Sequence, residues 1–137
     1  MKFYVKVFLL LSCISIYSCS GVSYEDDIVG SWEITFVDLV DGADGIYTSN
    51  FGCCEPGEGS GSFQVTIDGV QNFYNIETLI TSSGKYTMDF FVDNEDRGSA
   101  SCDLNSDGTG EGTYSFVWRN DQTGESRTLS GTTLAQM

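Results

Sequence analysis

The residues whose types and spacing bear most directly on chemistry are a run of oxygen donors late in the chain and a set of cysteines. Asp103-x-Asn105-x-Asp107-Gly108 follows the first half of a calcium loop, with oxygen ligands at alternate positions and glycine at the sharp turn. Glu111 falls at the ninth position, but Tyr114 stands at the twelfth, where a bidentate acid belongs. Asn-Ser-Asp-Gly is also hairpin-turn chemistry, because these side chains bond their own backbone and tolerate positive φ. Asp103, Asn105 and Asp107 are therefore weak calcium candidates beside a plain turn, and no metal or other cofactor is expected. A second acidic group, Asp93, Glu95 and Asp96, reads as a solvated turn between strands. Cys53 and Cys54 are adjacent, without the two-residue gap of a zinc site, and the chain has no histidine to complete one. Glu55 and Glu58 disfavour a thiolate there, so redox chemistry is not expected. The absence of histidine also removes histidine-based general-base and triad mechanisms. No G-x-S-x-G and no phosphate loop is present, and no spacing singles out a carboxylate pair among the 20 acids. The expectation is a protein that is not an enzyme.

The first 27 residues carry a different chemistry. Met1 to Lys6 is a short basic segment, and Val7 to Tyr17 is an apolar run of 11 residues. That length suits the core of a signal peptide and falls short of the ~20 residues that span a bilayer. Ile16-Tyr17-Ser18-Cys19 closes the segment and resembles the lipobox of bacterial lipoproteins. Leu10-Leu11-Ser12-Cys13 is a rival match, but it leaves only five apolar residues before it, Val7 to Leu11. The resemblance implies a signal peptide over 1–18 and acylation of the Cys19 thiol. Each buried methylene contributes about 0.8 kcal/mol, so two or three chains on one cysteine hold a protein to a membrane without a transmembrane helix. Residues 19–27 then form an acidic tether. Glu25, Asp26 and Asp27 resemble the acidic export signal that follows the lipidated cysteine in Bacteroidetes-type lipoproteins. That resemblance implies an outer-membrane protein, lipid-anchored and facing the cell surface, with the periplasmic face as the alternative.

Removal of 1–18 takes Lys2 and Lys6 and none of the acids. Four cations then stand against 20 acids, a net charge of −16 in place of −14. Such a surface argues against nucleic acid, whose binding is driven by phosphate neutralisation, and against an electrostatic grip on anionic lipid heads. In an exported protein the setting is oxidising. A disulfide between Cys102 and one of the adjacent pair, Cys54 or Cys53, is expected and would contribute about 2–4 kcal/mol.

The elements that would position these residues are strands. Trp32, Ile34 and Phe36 alternate with polar residues in Gly30 to Asp38, as do Tyr86, Met88 and Phe90 in Lys85 to Val92, and Tyr114, Phe116 and Trp118 in Glu111 to Arg119. Further strands are expected over 46–51, 62–68, 73–81, 99–105 and 126–134. Asp68-Gly69, Ser83-Gly84, Asp107-Gly108 and Thr123-Gly124 mark turns between them. Residues 41–62, rich in glycine and acids, read largely as a loop with Tyr47 and Phe51 as contact residues. No stretch shows a 3.6-residue period. The fold class is all-β: one domain over 28–137, a small antiparallel meander barrel of about eight strands, with a β-sandwich as the alternative.

Ile28-Val29-Gly30-Ser31-Trp32-Glu33-Ile34 resembles the Gly-x-Trp opening strand of lipocalin-like domains, a plan shared by short Bacteroidetes-type lipoproteins. The resemblance implies that Gly30 allows a tight entry, that Trp32 plugs one end, and that an arginine covers it, Arg127 first and Arg119 second. Two functions are compatible with such a barrel. A hollow one would hold a small apolar ligand in its mouth, against Phe36, Tyr86, Phe90 and Phe116. A filled one would be an accessory module docking to an outer-membrane protein complex or to glycan, the reading preferred for eight short strands with bulky inward rings. The anchor is directly testable. Radiolabelled palmitate is incorporated into the wild type and lost in Cys19→Ala; label that survives this change but disappears in Cys13→Ala moves the site to Cys13.

Overall fold

The computed structural model describes residues 28–51, 57–81 and 83–137. Eight antiparallel strands form a single sheet: β1 (Gly30–Val40), β2 (Ala43–Phe51), β3 (Glu58–Ile67), β4 (Val70–Ile80), β5 (Lys85–Val92), β6 (Glu95–Leu104), β7 (Thr109–Arg119) and β8 (Ser126–Gln136). Their order is β2-β1-β8-β7-β6-β5-β4-β3, a meander that curls round until β1 pairs with β8. The result is a nearly closed barrel whose two free edges, β2 and β3, face each other. No α-helix occurs among the described residues, and none there is long and apolar enough to cross a membrane.

Alternation decides which side chains point inward. Trp32, Ile34 and Phe36 on β1, Tyr74 and Ile76 on β4, Tyr86, Met88 and Phe90 on β5, and Phe116 and Trp118 on β7 are at most 1% exposed. Their neighbours in sequence face solvent, giving the sheet one dry and one wet face. Truncating one buried ring of this kind to alanine typically costs about 3–5 kcal/mol, so this inner face dominates the stability. The Asp-Gly turns form as their chemistry dictates. Asp68 and Gly69 take φ of 50° and 78°, and Asp41 and Gly42 take 46° and 76°. Positive φ at both central residues is the two-residue hairpin geometry that matches strand twist.

Within 41–62 the structure extends the expected strands at the expense of the loop: β2 begins at Ala43, before the expected 46–51, and β3 begins at Glu58, before the expected 62–68, while 52–56 fall outside the described residues. Glu58 to Ser62 is a run of glycine, serine and acid with no alternation of its own, and it becomes strand by pairing with Asn75 to Leu79 on β4. Pairing with a well-patterned neighbour overrides weak local propensity.

A β-bulge interrupts the β5–β6 ladder. The register shifts between Phe90 and Phe91, so Phe90 pairs with Gly98 and Phe91 with Asp96, leaving Arg97 as the extra residue. Gly98 has φ of 125°, its N–H donates to Asp96 Oδ1 at 2.8 Å, and a Cβ on it would run into the Ser115 carbonyl and Phe116. Gly69 also has positive φ, but a Cβ there meets nothing within 4 Å. Gly98→Ala is therefore expected to lower stability by about 2–4 kcal/mol and Gly69→Ala by about 1 kcal/mol. Urea denaturation of the two variants checks the order, and an equal loss in both would show that the bulge does not depend on glycine.

Candidate functional site

Inside the barrel the inward rings meet one another. Phe90 and Phe116 stack with centroids 4.5 Å apart, Phe36 lies edge-on to both at 6.1 and 6.5 Å, and Tyr74 and Tyr114 close the group at 5.2 and 5.9 Å from Phe116. Edge-to-face and offset contacts at these separations are favourable beyond simple burial. Three of the four candidate ligand-lining residues, Phe36, Phe90 and Phe116, are thus brought together, but as mutual packing. Tyr86, also fully buried, donates to Ser49 Oγ at 3.2 Å and is hydrogen-bonded to Tyr47. Burial pushes its hydroxyl up to about 12. Burial likewise pushes Tyr74 up to about 12, although the nearby Arg97 charge pulls the other way.

Between β2 and β3 side chains replace backbone pairing. Tyr47 packs on Gly61, and the Phe63 ring stands 2.9 Å from where a Cβ on Gly45 would be. Above this contact a shallow groove of about 420 Å³ runs between the edges, with Leu39, Ile46 and Phe63 among its walls and Asp44 at its side. A second hollow, about 520 Å³, lies on the outer wall between Glu58, Glu77 and Asp89. Among the described residues no group of three or more cysteine or acidic side chains is arranged to hold a metal ion.

The two barrel ends differ. One end gathers the start of β1, the 81–84 and 105–108 turns and the C-terminus: Trp32 Nε1 donates to the Ile28 carbonyl at 2.9 Å, a Cβ on Gly30 would touch Met137, and the Met137 N–H bonds the Gly108 carbonyl. Gly30 has φ of 150° and Trp32 is fully buried. Arg127 does not cover Trp32. It pairs across β7–β8 with Trp118 and lies over that ring, 5.6 Å from its centroid, held by Asp68 at 2.8 Å and Glu125 at 2.9 Å. Arg119 is elsewhere too, bound to Glu95 at 3.0 Å. The reason is register: β8 meets β1 only through Thr133 to Gln136, so Arg127 is carried to the far end. The tryptophan that needs an arginine there, Trp118, lies on the neighbouring strand, a cross-strand pairing that no short motif announces.

That far end holds Arg97, the residue sequence reasoning missed. Nothing in the pattern marks it, since it stands in an acidic run that reads as a turn. The bulge turns it inward, where its side chain is 6% exposed. Nη2 pairs with Glu95 at 3.0 Å, while Nε and Nη1 are buried without a hydrogen-bond partner among the described residues.

The calcium candidates form a hairpin turn. Asp107 Oδ1 accepts from the Thr109 N–H at 3.0 Å and its hydroxyl at 2.6 Å, which holds the Asp107 carboxyl below its usual range. Asn105 contributes its backbone to the turn, and Asp103 is exposed on β6 opposite Lys85 and Glu111. Cys102 is a free thiol, fully buried and hydrogen-bonded to Thr133. Its candidate partners Cys54 and Cys53 lie outside the described residues, as does Cys19.

No family model matches this chain, and neither a curated protein nor a solved structure does.

Burial raises the Cys102 thiol from 9.0 to about 11. Below pH 9 both folded and unfolded states keep the proton and the group has no effect. Above it the unfolded chain ionises first, so stability falls as pH rises from about 9 to 11, where the folded thiol ionises as well. Tyr74 and Tyr86 extend the fall from 10 toward 12. Denaturant melts across this range are expected to show the decline, with its onset moved from about pH 9 to about 10 in Cys102→Ala. An unchanged onset would mean that Cys102 ionises freely in the folded state.

Proposed function

We propose that this chain is a lipid-anchored lipoprotein of the outer membrane, held through Cys19 and turned to the cell surface, whose barrel is a non-enzymatic accessory or interaction module. The observation that carries the second half of this reading is the packed interior, where Phe36, Phe90 and Phe116 occupy the centre that a ligand would need. An apolar guest would have to part rings that already satisfy one another, losing contacts it could only replace.

The outer wall is what remains for recognition. Ser60, Glu77, Asp89, Ser99, Ser115 and Ser130 are consecutive register partners from β3 to β8, all exposed, and form a rung of hydroxyls and carboxylates around the barrel. Polar side chains in register suit the polar edge of a protein or glycan partner, with the exposed Leu79 beside them as an apolar contact.

Native mass spectrometry of the protein extracted from its own membranes is expected to show a lipidated species with protein or glycan partners and no stoichiometric apolar adduct. An apolar small molecule bound one to one, and released by Phe116→Trp, would replace this reading with that of a ligand carrier.

A further inference from the structure

We propose that the barrel end around Arg97 binds an oxyanion, a carboxylate or phosphate group, on the Arg97 guanidinium. A guanidinium carries five donors, and burying one with donors unfilled costs several kcal/mol. The Arg97 side chain is 6% exposed, and its ion pair is to Glu95, itself half exposed. Two of its nitrogens have no partner among the described residues. A purely structural role would be served better by an apolar residue, since well-packed hydrophobic groups commonly match or exceed a buried ion pair in stability. The fold instead interrupts the β5–β6 ladder and places glycine at φ of 125° beside Arg97, a device that re-aims one side chain.

The arginines gather at this end, although Asp68, Asp93, Glu95, Asp96 and Glu125 stand there too. From residue 28 onward the chain has four cations, Lys85, Arg97, Arg119 and Arg127, and the three arginines stand at this one end. Glu95 is shared, one oxygen to Arg97 and the other to Arg119, each at 3.0 Å, so one carboxylate serves two guanidiniums. Other groups near Arg97 are already committed: Tyr74 donates its hydroxyl to the Val117 carbonyl at 3.0 Å, and Asp96 accepts from Gly98. An incoming oxyanion takes the Arg97 donors and leaves Glu95 to Arg119, with charge-assisted hydrogen bonds on both sides.

This inference does not depend on the anchor, and its test separates the two. The full chain in non-ionic detergent is titrated with phenylacetate, to read a carboxylate, and with inorganic phosphate, against sodium chloride at matched ionic strength. At about ten times the dissociation constant, one or both probes raise the melting temperature by about 4 °C. Arg97→Met weakens binding by about tenfold or more, and Glu95→Gln, which removes the internal competitor, strengthens it. The Nε–Hε signal of Arg97 in the wild type supplies a readout that needs no variant and shifts on addition of the same probe. A melting temperature that follows ionic strength alone, an Arg97 signal that stays in place, or equal binding by Arg97→Met overturns the proposal. Response to phenylacetate alone assigns the site to carboxylates, and response to phosphate alone assigns it to phosphate groups.

Discussion

The barrel depends on four residue pairs. Glu33 to Phe36 on β1 meet Gln136 to Thr133 on β8, and this ladder is all that joins the β1–β2 hairpin to the six-strand meander through backbone hydrogen bonds. Long-range pairing of this kind brings the first and last strands together and must overcome the loop-closure entropy of nearly the whole domain. Cross-barrel hydrogen bonds reinforce it. Tyr114 donates to the Val37 carbonyl at 2.7 Å, and Thr133, fully buried, donates to the Ser101 carbonyl at 2.6 Å. Phe36 sits at the end of the same ladder and touches Phe63, Phe90, Tyr114 and Phe116, so closure and core formation are one event.

Closure through β1 and β8 leaves β2 and β3 as edges, and free edges invite pairing with other chains. Here they are shielded by each other. Tyr47 over Gly61 and Phe63 beside Gly45 set large side chains against glycines, which brings the edges close without a ladder. Exposed Asp44 and Glu58 add charge along the seam. A seam held by side chains opens at lower cost than one held by backbone bonds, so this is where the barrel is expected to yield first under strain.

Much of this architecture is legible in the chain. The inward faces of β1, β5 and β7 follow from alternation of large rings with polar residues, and the Asp-Gly pairs locate hairpins because few other residues accept positive φ in succession. The first and last strands run longer than their pattern shows, since pairing at the barrel end carries Leu39 and Val40 on β1 and Ala135 and Gln136 on β8 into strand. β2 and β3 are legible only in part: the expected strands over 46–51 and 62–68 lie within them, but Ala43 to Gly45 and Glu58 to Gly61, small or acidic residues with no alternation, become strand only by pairing with β1 and β4. Of the site candidates, Gly30 and Trp32 belong to a local motif that singles them out in the sequence. Arg97 belongs to none, because a bulge depends on what the partner strand does. Arg127 reaches a different tryptophan from the one the motif implies, because register decides which end a residue reaches.

The two ends of the barrel are chemically unlike, and the strands fix the distance between them. The end carrying Ile28, Gly30 and Met137 is where the chain enters, so a lipid on Cys19 would tether this end toward the bilayer with eight residues between Cys19 and Ile28. The arginines occupy the opposite end, one strand length away. On an acidic protein this segregation is costly for binding any anion at random, because the surrounding field repels it. It is workable only where cations are grouped, as Arg97 and Arg119 are about Glu95.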